Sequence, residues 1–146
     1  RQESAFDTQA VSRSGARGLM QLMPTTAAEV AGRADLRHQV AWLTARPAHN
    51  IELGRAYLKR LLDKYDGAYA LAAAAYNAGP TRVNDWLEAY GDPRTGETDL
   101  ISWIERIPFY ETRTYVQRVL EGTTVYRGIL KTTPTANLDA MHLGKW

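Results

Sequence analysis

The sequence contains no cysteine, which excludes several kinds of site at once. A chain without thiols forms no disulfide framework, offers no thiol nucleophile and binds no metal through thiolates. It has only three histidines, His38, His49 and His142, and neither their mutual spacing nor the nearby carboxylates form a metal-binding pattern. We therefore expect neither a metal nor another cofactor.

Long apolar runs and clustered charge are also missing. No run approaches the ~20 apolar residues of a bilayer-spanning helix, so no transmembrane segment is expected in this chain. The 18 basic and 16 acidic residues leave a net charge of only +2, and the basic residues are scattered, so nucleic acid is not an expected partner. The chain opens on Arg1, and its first candidate site residue is Glu3. We therefore expect a piece of a longer protein, without its N-terminal helix and upstream domains.

The apolar spacing predicts helices and no strands. A chain of 146 residues suits one domain with a substantial core, and no stretch keeps the alternation of a half-buried strand. Capping and breaking residues predict helices at 18–22, 24–32, 50–65, 68–78, 81–90, 101–107 and 111–130. In these, Thr26 with Glu29, Asn50, Thr81 and Asp99 are the expected N-terminal capping residues. The fold class is all-α, with one domain over residues 1–130 and a tail over 131–146.

The first candidate site lies in residues 1–24, where a lone carboxylate, Glu3, precedes an apolar run interrupted by Gln21. One interpretation of Glu3 is a solvated carboxylate at a helix end. A carboxyl group held against apolar side chains instead has a raised pKa and can donate a proton near neutral pH. Gln21 lies between Met20 and Met23, so it is either the polar edge of a core helix or a ligand-binding group on an apolar wall.

Two later segments carry further candidates. Tyr76 and Asn77 end an alanine-rich helix, where they either cap that helix or offer polar groups to a ligand. Glu111 stands where the last helix is predicted to begin, so its carboxylate either stabilises the first turn or lines the same cleft as Glu3. The residue pattern alone leaves both alternatives open in each case.

Together and in this order, five segments resemble the catalytic domain of the soluble lytic transglycosylases, bacterial enzymes of lysozyme-like fold that cleave peptidoglycan. The matching segments are Arg1-Gln-Glu-Ser-Ala-Phe6, Ser12-x-x-Gly-Ala-x-Gly-Leu-Met-Gln-Leu-Met-Pro24, Asn50-Ile with Gly54 and Tyr57-Leu58, Ala74-Ala-Tyr-Asn-Ala-Gly-Pro80, and Ile104-Glu-x-Ile-Pro-Phe-x-Glu-Thr-Arg113. The resemblance covers about residues 1–128 and leaves the tail outside it.

The resemblance implies a lysozyme-like fold, a single catalytic residue and a set of substrate-binding residues. The catalytic residue is Glu3, and the substrate-binding residues are Ser12, Gln21, Met23, Tyr76, Asn77 and Glu111. The implied partner is the glycan strand of peptidoglycan, with further domains in the full-length protein. The implied location is the periplasm of a Gram-negative cell, and association with the outer membrane through other regions stays open.

The reaction that the resemblance implies uses one carboxyl group twice. Glu3 first protonates the β-1,4 glycosidic oxygen between N-acetylmuramic acid and N-acetylglucosamine, and then accepts the proton of the muramic 6-hydroxyl as a 1,6-anhydro ring closes. Two alternatives remain: a lysozyme-type hydrolase, in which water attacks instead, and a non-catalytic peptidoglycan-binding module. The chemistry of the products distinguishes the hydrolase from the transglycosylase, and binding without cleavage would support the binding module.

Overall fold

Seven helices, joined by loops and turns, form residues 6–132, the part of the chain that the computed structural model describes, with side chains described as far as Gly128. The helices are α1 (Pro24–Arg33), α2 (Trp42–Ala45), α3 (Pro47–Lys64), α4 (Tyr69–Ala78), α5 (Pro80–Tyr90), α6 (Leu100–Arg106) and α7 (Tyr110–Thr132). The β-structure of this region consists of two isolated antiparallel bridges, Val11 to Arg17 and Arg17 to Leu22. The predicted all-α class is confirmed.

Glycine, proline and one aspartate set most helix boundaries where the sequence predicted them. Gly79, with a φ of 91°, ends α4, and Pro80 opens α5 directly after it. The side chain of Asp99 accepts a hydrogen bond of 2.9 Å from the backbone N–H of Ser102 and so caps α6. Hydrogen bonding by the Ser102 side chain, followed by this backbone bond, holds the pKa of the Asp99 carboxyl below its usual value.

Three predicted caps are wrong, and proline is the reason in each case. Because Pro24 and Pro80 occupy the first helical positions, Met23 and Gly79 are the N-caps of α1 and α5, and neither residue has a side-chain acceptor. The capping box of Thr26 with Glu29 and the Thr81 cap therefore do not form. Pro47 likewise opens α3 three residues before Asn50, which lies inside the helix.

The predicted helix over residues 18–22 is also wrong. Residues 18–21 form a turn, and the flanking residues Arg17 and Leu22 pair across it as an antiparallel bridge. Gly18 and Gln21 adopt the left-handed backbone region, with φ values of 73° and 44°, which an α-helix does not allow.

The chain divides into two compact units, the first ending at Arg60 and the second beginning at Leu61. The first unit contains α1, α2 and most of α3. Its buried apolar side chains come from the residue that ends the 18–21 turn and from the three helices: Leu22, Ala27, Val30, Ala31, Leu43, Leu53 and Tyr57. A core made from one loop residue and three helices ties the loop ahead of α1 to the helical part of the unit.

The second unit is built around α4, whose residues Ala70 to Ala75 are all buried. The helix contacts both α5 and α7, and its small side chains let these neighbours approach closely. A row of edge-to-face aromatic rings packs beside them, with Trp86 centred 6.4 Å from Trp103 and 5.6 Å from Phe109. A helix buried on all sides explains why this segment is nearly pure alanine and leucine.

The end of α7 bears on the predicted division of the chain. The helix reaches Thr132, so residues 131 and 132, the first two of the predicted tail, continue it. The remaining tail residues, 133–146, lie outside the described region, and the division into a 1–130 domain and a tail stays a prediction. None of the helices within residues 6–132 is long and apolar enough to cross a membrane.

Candidate functional site

The seven predicted site residues fall into three groups. Glu3, the predicted catalytic residue, lies outside the described residues. Ser12, Gln21 and Met23 belong to the first unit, and all three lie in or directly after the loop that precedes α1. The second unit contains Tyr76 and Asn77 at the end of α4 and Glu111 at the start of α7.

Ser12 holds a tight turn in the loop of the first unit. Its backbone N–H donates to the carbonyl oxygen of Ala16 at 2.9 Å, and its Oγ accepts from the N–H of Ala16 at 3.0 Å. The same hydroxyl shares a hydrogen bond of 2.9 Å with the hydroxyl of Ser14. The Ser12 side chain therefore has a structural role in this loop, whatever further contact it makes with a ligand.

The next turn, residues 17–22, carries Gln21. Arg17 and Leu22 exchange both backbone hydrogen bonds, at 3.0 and 3.1 Å, and so close the turn at its base. The N–H of Gly18 donates to the carbonyl oxygen of Ala10 at 2.8 Å, which fastens the turn to the preceding loop. These bonds give the apolar run of Leu19 and Met20 a fixed, non-helical backbone.

The side chain of Gln21 folds back onto this loop. Its Nε2 donates to the carbonyl oxygens of Ala10 and Gly18, at 3.1 and 2.9 Å. Because both partners are acceptors, the amide orientation follows from the network, and both amide hydrogens are committed. What Gln21 can still offer a ligand is its Oε1, an acceptor for a hydroxyl or an amide N–H.

Asn50 fastens the same turn to the rest of the unit. The side chain is fully buried at 0% exposure, and its Oδ1 accepts a 2.7 Å hydrogen bond from the backbone N–H of Met20. Its Nδ2 donates to the carbonyl oxygens of Arg17 and Leu43, both at 3.0 Å. Sequence reasoning assigned Asn50 to a helix cap and missed this role; the available signal was an amide among the apolar residues of an amphipathic helix.

Met23 follows the turn at the N-cap of α1. Its carbonyl oxygen accepts the first hydrogen bond of the helix from Ala27, at 2.9 Å, while the residue itself is 39% exposed. An apolar side chain exposed beside the Gln21 turn is compatible with the predicted apolar wall. Met20, the other methionine of the pattern, packs against α3: its Cβ and Cγ lie 2.6 Å from where a side chain on Gly54 would begin.

In the second unit, one hydrogen bond joins the two predicted segments. The hydroxyl of Thr112, which is only 2% exposed, donates to Oδ1 of Asn77 at 2.7 Å. Asn77 thus links the end of α4 to the first turn of α7, and Gly79 occupies the C-cap position instead. Sequence reasoning did not single out Thr112, although it stands directly after Glu111 in the matched segment.

The two other residues of this group flank that bond. Tyr76 is half-buried in the last turn of α4, and Glu111 is exposed in the first turn of α7. A carboxylate in the first turn interacts favourably with the positive end of the helix dipole, so Glu111 has a structural role beside any contact with a ligand. The Asn77–Thr112 bond fixes the two helix ends that carry Tyr76 and Glu111.

Two histidines of the first unit, His38 and His49, contact each other. Nδ1 of His38 and Nε2 of His49 lie 3.0 Å apart, and their rings stack with centroids 5.3 Å apart. Burial, and to a smaller extent the neighbouring His49, lower the pKa of His38. No group of three His, Asp or Glu side chains in the described part of the chain is arranged to hold a metal ion.

Comparison with solved structures defines the fold class. The chain superposes on the lytic transglycosylase Slt from Pseudomonas aeruginosa, solved as an inactive glutamate-to-glutamine variant, with a TM-score of 0.77 and 43% identity over 90% of this chain. It superposes on the 70-kDa soluble lytic transglycosylase from Escherichia coli with a TM-score of 0.81 and 35% identity over 94% of this chain. The domain is therefore an all-α domain of lysozyme-like fold.

Sequence comparison gives the family. The transglycosylase SLT domain matches residues 1–98. A Haemophilus influenzae protein assigned to the soluble lytic murein transglycosylases is 46% identical over 127 residues, or 87% of this chain. The soluble lytic murein transglycosylase of Escherichia coli K12 is 37% identical over 92% of this chain. The chain belongs to the transglycosylase SLT domain family, as its motifs predicted.

The match covers a limited part of each relative. This chain spans 21% of the Haemophilus protein and 20% of the Escherichia coli protein, and 20% and 22% of the two solved chains. The similarity therefore concerns one domain of proteins about five times its length.

Proposed function

We propose that this chain is the catalytic domain of a peptidoglycan lytic transglycosylase, which cleaves the β-1,4 bond between N-acetylmuramic acid and N-acetylglucosamine. The observation that carries the proposal is the family match over residues 1–98, a stretch that contains Glu3 and five of the six proposed binding residues. The Pseudomonas relative adds support, because one glutamate-to-glutamine change is enough to make that enzyme inactive.

Glu3 carries the chemistry in this proposal. Its carboxyl group protonates the glycosidic oxygen, so that the bond breaks with the proton on the leaving N-acetylglucosamine. The muramic acetamido oxygen stabilises the anomeric carbon, which replaces the second carboxylate of standard glycosidases. The carboxylate of Glu3 then accepts the proton of the muramic 6-hydroxyl as its oxygen bonds to the anomeric carbon. No water is consumed in this reaction, and the product ends in 1,6-anhydromuramic acid.

The described residues have complementary roles in binding the glycan. With both amide hydrogens of Gln21 committed to the loop, its Oε1 accepts from a sugar hydroxyl or an acetamido N–H. Met23 offers an exposed apolar surface to the face of a sugar ring. Tyr76 supplies a neutral phenol and Glu111 a carboxylate, while Ser12 and Asn77 keep their loop and helix end in place.

The substrate also implies where the domain works. The relatives, soluble and membrane-bound murein transglycosylases, come from Gram-negative bacteria, and the peptidoglycan of such cells lies in the periplasm. We infer a periplasmic site of action, with peptidoglycan strands as the partner and further domains in the full-length protein.

The proposal is tested by measuring how fast matched variants release soluble muropeptides from purified peptidoglycan. Glu3→Gln keeps the size of the side chain but removes its proton-donating ability, and we expect a loss of at least ~10²–10⁴-fold in turnover. Glu111→Gln makes the same change at the other proposed site carboxylate, and we expect it to weaken binding with most of the maximal rate retained. Near-normal release by Glu3→Gln would exclude the assignment, and binding without release by the unaltered protein would indicate a binding module.

A further inference from the structure

We propose that Asn50 is a positioning residue of this active site: it sets the conformation of the 17–22 turn and, through that turn, the placement of Gln21. The inference rests on the proposed function, since it deepens the account of the same site. It arises from a buried amide on α3 that makes all three of its hydrogen bonds to backbone groups, two of them in the turn.

The contacts of Asn50 determine its orientation uniquely. Its Oδ1 faces a backbone donor, the N–H of Met20, and its Nδ2 faces two backbone acceptors, the carbonyls of Arg17 and Leu43. Rotating the amide by 180° would place donor against donor at Met20 and acceptor against acceptor at Arg17 and Leu43. The side chain is fully buried, so water cannot replace a lost bond without a rearrangement.

The turn depends on such external support. Gly18 and Gln21 both adopt positive φ, and the left-handed region is strained for a non-glycine residue such as Gln21. Asn50 binds the turn on both sides of its centre, at Arg17 and at Met20, the residue directly before Gln21. Strain at Gln21 is thus maintained by contacts from α3, a pattern found where a functional group must be held in place.

A chain of hydrogen bonds leads from Asn50 to the polar atom proposed to face the glycan. Asn50 fixes the backbone at Met20, and the Gln21 side chain then donates to Gly18 of the same turn and to Ala10. If the turn relaxes, the Gln21 amide loses these acceptors and its Oε1 moves. The three hydrogen bonds of Asn50 all go to backbone groups, two of them in the turn, so we expect its effect to reach the substrate through the turn.

Asn50→Leu removes all three bonds while keeping the number and branching of the side-chain heavy atoms, and Leu53→Ala, one turn along α3, is the matched control. Leu53 is fully buried and bonds to no part of the turn through its side chain, so its loss lowers stability without altering the Met20 N–H. Both variants are compared with the unaltered protein at a temperature at which all are folded. Two quantities are measured: kcat and KM on solubilised glycan strands, and hydrogen exchange of the Met20 amide.

We expect Asn50→Leu to lower kcat/KM by at least ~30-fold, a loss of about 2 kcal/mol in transition-state stabilisation, and to speed exchange at Met20. Leu53→Ala should change kcat/KM less than threefold and leave Met20 exchange at its original rate. Equal activity losses in the two variants, or unchanged exchange at Met20 in Asn50→Leu, would overturn the proposal.

Asn50→Ala provides a second variant in case the larger methyl groups of Asn50→Leu do not fit. It also removes all three hydrogen bonds but adds neither bulk nor a buried charge, so we expect the same direction of change in kcat/KM and in Met20 exchange. Failure of both variants to fold would also overturn the proposal, because Asn50 would then serve stability alone. Product release by the unaltered protein tests the proposed function separately, so the two failures are distinguishable.

Discussion

Gly18 lies at the entrance of the 17–22 turn, where the backbone conformation and the limited space together favour glycine. Its φ is 73°, and a Cβ at this position would overlap the carbonyl oxygen of Leu43 and the side-chain amide of Asn50. Alanine would therefore be strained in its backbone and would also displace the amide that holds the turn. We expect Gly18→Ala to lower the free energy of unfolding by at least ~2 kcal/mol, measured by urea denaturation.

Gly32→Ala is the matched control for that measurement. Gly32 lies in α1, and a Cβ there would meet no atom within 4 Å. Alanine should therefore raise the free energy of unfolding by about 0.5–1 kcal/mol, because it is the better helix former. If both substitutions changed the free energy of unfolding in the same direction, the predicted clash of a Cβ at Gly18 with Leu43 and Asn50 would be wrong.

Gln21 was predicted as a candidate site residue, but the backbone conformation around it was not. The pattern indicated Gln21 because it is an amide in an apolar run. In the structure Gln21 has a positive φ, and its side chain donates to the carbonyl oxygen of Ala10. The same pattern predicted a helix there, because apolar spacing over five residues does not distinguish a helix from a turn. The turn is set by Asn50, about 30 residues further along the chain, and such a contact leaves no local signal.

At the scale of elements, the Asn77–Thr112 hydrogen bond links the end of α4 to the first turn of α7. Thr112→Val replaces the buried hydroxyl with a methyl group of similar size and leaves Oδ1 of Asn77 without this donor. We expect a loss of about 1 kcal/mol in the free energy of unfolding. Because the bond fixes the helix ends that carry Tyr76 and Glu111, we also expect KM for glycan strands to rise severalfold.

Thr124→Val makes the same chemical change in the same helix. The hydroxyl of Thr124 is exposed and donates only to the carbonyl of Leu120, one turn earlier in α7. We expect stability and KM to stay close to those of the unaltered protein. A KM effect of equal size in both variants would mean that the Asn77–Thr112 bond does not position the site.

Most elements followed from the sequence because their boundaries are local. Gly79-Pro80 separates α4 from α5, and Asp99 caps α6, as predicted. The missed caps at Thr81 and Asn50 have a common cause, since a proline at the first helical position moves the cap to the residue before it. The Asn77–Thr112 link was not predicted, because it joins segments 35 residues apart.

At the scale of the whole molecule, the His38–His49 pair makes stability depend on pH. The pKa of His38 is lowered by burial and by His49 from an ordinary value of 6.5, so the unfolded chain binds the proton more readily than the folded chain. The contribution to stability is complete above pH 6.5 and is lost as the pH falls toward the lowered pKa.

We expect His38→Gln to flatten the decline in the free energy of unfolding between pH 7 and pH 5, roughly the window in which histidine titrates. Denaturant titrations of both proteins across that window measure the slope. An unchanged slope in His38→Gln would show that the histidine pair does not cause the decline.

We propose that Glu3 directs the sugar's own 6-hydroxyl, rather than water, to the anomeric carbon. Digestion of purified peptidoglycan by the unaltered protein in ¹⁸O-labelled water, followed by mass spectrometry of the soluble products, tests it most directly. We predict products ending in 1,6-anhydromuramic acid, one water lighter than hydrolysis products and free of ¹⁸O. Reducing ends that carry ¹⁸O would contradict the claim and identify a lysozyme-type hydrolase.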